Sequence, residues 1–122
     1  MKVSARFIEI EVIINKRLEK LIQNLSHNIR DRLRVLFRNG AVLDIRYPIE
    51  TKYSFNLQYR DKVYRIDTAP YHPEIDTFPN HFHNKEEENI ILDQWTDPTR
   101  GISDNINAMC DWVLGIFDQI HE

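Results

Sequence analysis

Period-two alternation between residues 32 and 67 constrains the fold of this chain more than any other feature. Apolar and polar side chains alternate on both sides of Asn39-Gly40, a dipeptide typical of a type I′ hairpin turn with positive φ at both positions. A second alternating pair follows, with a short turn near Asp61-Lys62. Four strands joined by short turns predict an antiparallel meander over residues 30–67, with one apolar and one polar face.

Apolar residues spaced by three and four predict one helix before this sheet in the sequence and one after it. The first helix is predicted over residues 4–26, with Ser4 as N-cap, although "FIEIEV" also alternates as a strand would. The second is predicted over residues 103–120, with Ser103 as N-cap. Residues 89–92 are predicted as an edge strand. The expected fold is therefore α+β, an antiparallel sheet of four to five strands with the N- and C-terminal helices packed on one face.

Composition predicts one domain, spanning residues 1–122. The hydrophobic fraction of 42% is enough for one core, and the single Cys110 excludes an intrachain disulfide. No apolar run approaches the roughly 18 residues of a membrane span, and neither a signal peptide nor a nucleotide-cofactor motif is recognisable. We expect a cytoplasmic protein that works without a membrane or a cofactor.

Charge divides the chain into a basic and an acidic half. Residues 1–65 hold 14 Lys and Arg against 7 Asp and Glu, whereas residues 66–122 hold 2 against 12. Guanidinium groups pair with phosphates, and tyrosine rings stack on bases. The nucleic-acid-binding candidates are Arg30, Arg32, Arg34, Arg38, Arg46, Arg60 and Tyr71. An acidic partner protein, or mutual neutralisation of the two halves, accounts for the same charges.

The predicted loop over residues 69–84 holds three of the five histidines, His72, His81 and His83. One ring can accept a proton while another donates one, and RNA cleavage needs only such a pair plus a cation for the phosphate. In this interpretation Arg65 holds the phosphate and Asp67 orients a histidine. Alternatively, the three rings bind a metal, although H-x8-H-x-H matches no strong metal signature, or they only brace the loop.

The chain resembles, over about residues 30–85, the core of the TumE-type toxins of toxin–antitoxin pairs. The matching residues are Tyr53, Ser54, Phe55, Gln58, Arg65, Asp67, Ala69, Pro70, His72, Pro73, Thr77, Phe78, Pro79, His81 and His83. Tyr71 and Asn80 stand where the family often has histidine, and Thr68 replaces the usual Asn.

This resemblance implies a growth-inhibiting toxin that is held inactive by a cognate antitoxin with a helix-turn-helix region. It does not supply the reaction, and ribonuclease action is inferred from the basic sheet and the histidines. A non-catalytic module that binds nucleic acid or protein and a metal-dependent phosphoesterase are the alternatives. The acidic half is expected to face the antitoxin or a second copy of the chain, as in a homodimer.

Overall fold

The computed structural model describes residues 5–27 and 31–120, which form one seven-stranded antiparallel sheet and two helices. The helices are α1 (Ala5–Leu18) and α2 (Ile102–Ile120). The strands are β1 (Ile22–Ser26), β2 (Arg32–Phe37), β3 (Val42–Ile49), β4 (Lys52–Tyr59), β5 (Lys62–Asp67), β6 (His81–Lys85) and β7 (Ile90–Ile91). Each strand pairs with the next along the chain, so the order is β1-β2-β3-β4-β5-β6-β7. The predicted α+β class and meander are confirmed, but the predicted strand count of four to five is wrong.

The first extra strand replaces the end of the predicted N-terminal helix. The helix ends at Leu18 instead of residue 26, a 3-10 turn covers Glu19–Leu21, and Ile22–Ser26 forms β1. Leu25 pairs with Val35, so β1 covers an edge of β2 that would otherwise have unpaired backbone groups. Leucines that continue the helical spacing therefore belong to other elements. Ser4, the predicted N-cap, lies outside the described residues.

The second extra strand occupies the end of the predicted loop over residues 69–84. His81–Lys85 forms β6, which pairs with β5, so the loop itself ends at Asn80. Phe82 between the two histidines points to the other face, where its ring meets Trp112 edge-on at 5.9 Å. The short strand β7 falls within the predicted edge strand 89–92.

Three local predictions about turns and caps need correction. Only Gly40 has positive φ in the first hairpin (91°), so the turn is not type I′. It is the three-residue form, in which a glycine in the left-handed region closes the loop. The second turn lies at Arg60-Asp61 rather than Asp61-Lys62, with Arg60 at φ 56°. Ser103 is inside the first turn of α2, since Asn105 N–H already donates to the carbonyl of Gly101.

The core lies between one sheet face and the two helices. α1 contributes Phe7, Ile10, Ile14 and Leu18, and α2 contributes Ile106, Met109, Cys110, Trp112, Val113, Ile116 and Phe117. The sheet contributes Leu33, Val35, Phe37, Leu43, Ile45, Tyr47, Tyr53, Phe55, Leu57, Tyr64 and Ile66. Because side chains alternate along a strand, the residues between these face away from the core.

On the opposite, polar face, cross-strand pairing forms two rows that run from an arginine to a histidine. Neighbouring pairs define the first row as Arg32, Arg46, Ser54, Asp67 and His81. The second row is Arg34, Asp44, Asn56, Arg65 and His83. The histidines of β6 thus stand at the end of two rows that begin with arginines.

Candidate active site: a histidine cluster on the polar sheet face

Three histidines from two segments of the chain meet at the β6 end of the polar face. His81 and His83 lie two residues apart on β6 and therefore project to the same side. The segment between β5 and β6 brings His72 against both. Ring centroids are 4.8 Å apart for His72–His81, 4.8 Å for His81–His83 and 5.9 Å for His72–His83. We call His72, His81 and His83 the histidine cluster; it unites all three predicted histidines.

Backbone carbonyls orient the two histidines of β6. His81 Nδ1 lies 3.1 Å from the carbonyl oxygen of Pro79, and His83 Nδ1 lies 2.8 Å from that of Glu87. A carbonyl oxygen can only accept, so each Nδ1 carries a hydrogen. Each neutral ring therefore keeps a lone pair on Nε2. His72 Nδ1 lies 3.6 Å from the Glu74 carboxylate, beyond hydrogen-bond distance.

The three rings differ in exposure and in electrostatics. His81 and His83 are only 2% and 5% exposed, whereas the His72 side chain is 26% exposed. Desolvation lowers the pKa of His81, as do His83 and His72, and this outweighs the hydrogen bond to Pro79 and the charge of Asp67, which raise it. His81 is thus held as a neutral base, while His72 forms the accessible side of the cluster.

Arg65, the predicted phosphate ligand, is held beside His83 by a carboxylate. Both Nη atoms donate to Glu87, at 2.7 and 2.5 Å, and this pairing lowers the pKa of Glu87. Arg65 Nε is buried, has no hydrogen-bond partner within residues 5–27 and 31–120, and lies 3.8 Å from Asp67. Because Glu87 also accepts the His83 N–H through its carbonyl, it joins the arginine to the cluster.

Asp67 does not orient a histidine through a hydrogen bond among the described residues. Its Oδ1 accepts the backbone N–H of Ala69 at 2.7 Å, which fixes the start of the loop. The carbonyls of Pro79 and Glu87 supply the orientation that was predicted for Asp67. Asp67 acts on the cluster through its charge, as one of the groups that raise the pKa of His81.

A buried polar network anchors the loop just before His81. Asn80 donates to the Asp93 carboxylate at 2.8 Å and to the Thr96 carbonyl at 3.0 Å, while the Thr77 hydroxyl donates to the Asn80 carbonyl. Asp93 is 3% exposed and also accepts the backbone N–H groups of Trp95 and Thr96. Sequence reasoning missed this network, although the spacing Asp-x-x-Thr after a strand is typical of such a side-chain turn.

The predicted arginine face is partly neutralised by its own neighbours. Arg34 forms a bidentate ion pair with Asp44, with N–O distances of 2.7 and 2.9 Å, and Arg32 Nε lies 4.0 Å from the same carboxylate. Arg46 has no ion pair among the described residues and borders a cavity of about 320 Å³ with Ser54 and Asp67.

The remaining nucleic-acid candidates lie outside these two rows. Arg38 and Arg60 lie in turns at the end of the sheet opposite to Asp67 and His81, with Arg60 over the Tyr59 ring. Tyr71 is 78% exposed next to His72. Arg30 lies outside the described residues.

The chain is an α+β protein built on an antiparallel meander, and the histidine cluster lies at the β6 end of the polar face of that sheet. The family model described as "Toxin TumE" matches residues 7–116, and the chain belongs to that family. This confirms the resemblance drawn from the sequence and indicates the toxin component of a toxin–antitoxin system. Neither a curated protein nor a solved structure matches the chain. No helix within residues 5–27 and 31–120 is long and apolar enough to cross a membrane.

Proposed function

We propose that this toxin cleaves RNA at the histidine cluster by metal-independent acid/base chemistry in the cytoplasm. The observation that carries the proposal is the grouping of two buried, carbonyl-oriented rings and one accessible ring beside Arg65. General acid/base catalysis needs two groups with different proton affinities within reach of one substrate. Burial lowers the pKa of His81, whereas His72 is the accessible ring of the cluster.

The reaction needs no nucleophile from the protein. His81 Nε2 takes the proton from the ribose 2′-hydroxyl, and the 2′-oxygen forms a bond to phosphorus. The bond from phosphorus to the 5′-oxygen breaks, and that oxygen takes a proton from protonated His72. The products are a 2′,3′-cyclic phosphate and a free 5′-hydroxyl. His83, whose tautomer is fixed in the same way, stands beside both rings as the second candidate base.

Arg65 stabilises the phosphate as charge develops on its oxygens. Its Nε is buried with no hydrogen-bond partner among the described residues, and its Nη atoms pair with Glu87. When the Glu87 carboxylate moves away, the phosphate oxygens accept hydrogen bonds from the guanidinium in its place. Arg46, in the same row as His81, and the exposed Tyr71 hold flanking nucleotides by charge and stacking.

The proposed partners follow from membership in a toxin family. A cognate antitoxin with a helix-turn-helix region restrains the toxin, and the acidic half of the chain meets that antitoxin or a second copy of the toxin. Co-purification of the pair, followed by light scattering of the toxin alone, tests both contacts.

Growth arrest on expression tests the proposal in cells. We expect arrest by the wild type and by His27→Ala, since His27 pairs with Glu11 on α1 and lies outside the histidine cluster. Arrest and RNA fragments should disappear together in His72→Ala and His81→Ala proteins that accumulate in folded form. Full toxicity of those proteins refutes the histidine mechanism.

Two other results would assign a different function. RNA binding that weakens with salt but yields no fragments indicates a non-catalytic binding module. Cleavage that EDTA abolishes and added metal restores indicates a metal-dependent phosphoesterase.

A further inference from the structure

We propose that His72, His81 and His83 form a zinc site, and that bound Zn²⁺ switches off the acid/base cleavage proposed above. The first half, metal binding, stands on the geometry of the cluster alone. The second half rests on the proposed function, because it concerns the same nitrogen lone pairs.

The hydrogen bonds of the cluster are those of metal-binding histidines. A histidine that binds metal through one ring nitrogen usually donates the other N–H to a carbonyl or a carboxylate. His81 and His83 already donate Nδ1–H to the carbonyls of Pro79 and Glu87, at 3.1 and 2.8 Å. His72 Nδ1 lies 3.6 Å from Glu74, so a small rotation would give the third ring a carboxylate partner. All three rings would then offer Nε2.

The distances between the rings suit a single ion after a small adjustment. One ring nitrogen from each histidine can be chosen so that all three lie within 4.8 Å of one another. Bonds of about 2.05 Å at tetrahedral angles separate donor nitrogens by about 3.3 Å. For that set of nitrogens, each pair must therefore approach by at most about 1.5 Å. His72 can supply most of it, because it lies on a loop and no hydrogen bond from the described part of the chain holds its ring.

The donor set selects the metal class. Three imidazoles suit Zn²⁺ and its neighbours in the transition series, whereas Mg²⁺ and Ca²⁺ prefer oxygen ligands. Three protein ligands leave the fourth tetrahedral position open to water. The positive charge of the ion would be moderated by Asp67, which acts on His81, and by Glu87, which already neutralises Arg65.

Metal binding and proton transfer exclude each other at these atoms. An Nε2 lone pair bonds either to Zn²⁺ or to a proton. A cluster that holds zinc through three Nε2 atoms has no ring left to take the proton of a 2′-hydroxyl. Zinc would thus act on the toxin as a reversible inhibitor, separate from the antitoxin.

Metal binding is measured directly on purified full-length protein. Protein freed of metal with EDTA is equilibrated with excess ZnCl₂, passed through a desalting column and analysed for zinc. We expect one Zn²⁺ per chain, a higher Tm with zinc, and the visible absorption of four-coordinate Co²⁺ after substitution with that ion. His72→Ala should bind zinc at least roughly 100-fold more weakly, since the loss of even an outer-sphere partner costs 10–100-fold. The accessible position of His72 makes this variant the least disruptive to folding.

His27→Ala is the matched control, since it removes a histidine outside the cluster and should leave zinc binding unchanged. Less than about 0.1 Zn²⁺ per wild-type chain, or equal zinc binding by His72→Ala, overturns the metal site. For the second half, one equivalent of Zn²⁺ should slow RNA cleavage at least tenfold, and EDTA should restore it. Unchanged or faster cleavage in zinc-loaded protein overturns the inhibition. If the wild type cleaves no RNA, the proposed function and this inhibition both fail, whereas the zinc content still decides the metal site.

Discussion

Removal of the Asp93 carboxylate should destabilise the fold strongly and disturb the histidine cluster at the same time. Asp93 accepts four hydrogen bonds: from the Asn80 amide, the Thr96 hydroxyl and the backbone N–H groups of Trp95 and Thr96. Asn80 directly precedes His81 and follows Pro79, whose carbonyl orients the His81 ring. The network thus fixes the end of the loop, Pro79-Asn80, which orients the His81 ring.

The magnitude follows from the donors that Asp93→Ala would leave without an acceptor. A hydrogen bond to a charged group is worth about 1.5–3 kcal/mol, and a buried donor left unsatisfied costs about 1–3 kcal/mol. The Asn80 amide and the Thr96 N–H are buried, whereas the Trp95 N–H is only part-buried and can meet water. The full loss of these two buried hydrogen bonds, with smaller losses for the Trp95 N–H and the Thr96 hydroxyl, gives a destabilisation of about 4 kcal/mol. Asp93→Asn keeps one acceptor oxygen, so we expect about half of that loss.

Urea unfolding followed by tryptophan fluorescence measures the effect. Gln94→Ala is the control, because this neighbour is exposed and should change stability by less than about 0.5 kcal/mol. A loss below about 1 kcal/mol for Asp93→Ala would show that solvent or a rearranged loop replaces the carboxylate. The network could not then be what positions His81.

Three further predictions concern other parts of the molecule. Gly40→Ala should cost about 1–2 kcal/mol in urea unfolding because φ is 91° there, although its Cβ would meet nothing within 4 Å; an unchanged midpoint contradicts this. Glu87→Gln should release Arg65, so RNA should bind more tightly, and the slope of log K against log salt concentration should be steeper by about 0.7. Equal or weaker RNA binding would show that Glu87 does not hold Arg65 back from RNA. Cys110 is fully buried and burial raises its pKa to about 11, so iodoacetamide at pH 8 should modify it only after unfolding.

The central meander was predictable because its signals are local. Alternation and an Asn39-Gly40 turn specify neighbouring strands without reference to the rest of the chain. β1 was not predictable in this way, because Leu21 and Leu25 continue the helical spacing of α1. Only pairing with Val35 and Phe37, ten or more residues away, makes the segment a strand. Tertiary pairing there overrides the local pattern.

The histidine cluster was predictable in its members but not in its orientation. His72, His81 and His83 stand out by composition and by resemblance to the family. The groups that orient the rings are the backbone carbonyls of Pro79 and Glu87. Every residue has a backbone carbonyl, so the sequence does not indicate which of them bind the histidines. Cross-strand register likewise determines that Asp44 neutralises part of the arginine face.

The central claim is that the histidine cluster carries out metal-independent RNA cleavage. The most direct measurement is the rate of RNA cleavage by purified protein in EDTA, with analysis of the fragment ends. We predict 2′,3′-cyclic phosphate and 5′-hydroxyl ends from the wild type and from His27→Ala, and no cut at a 2′-deoxy position. Folded His72→Ala and His81→Ala proteins should be at least 100-fold slower, in line with the usual contribution of a general acid or base. Wild-type rates from those two variants, or fragments without cyclic phosphate ends, would contradict the account.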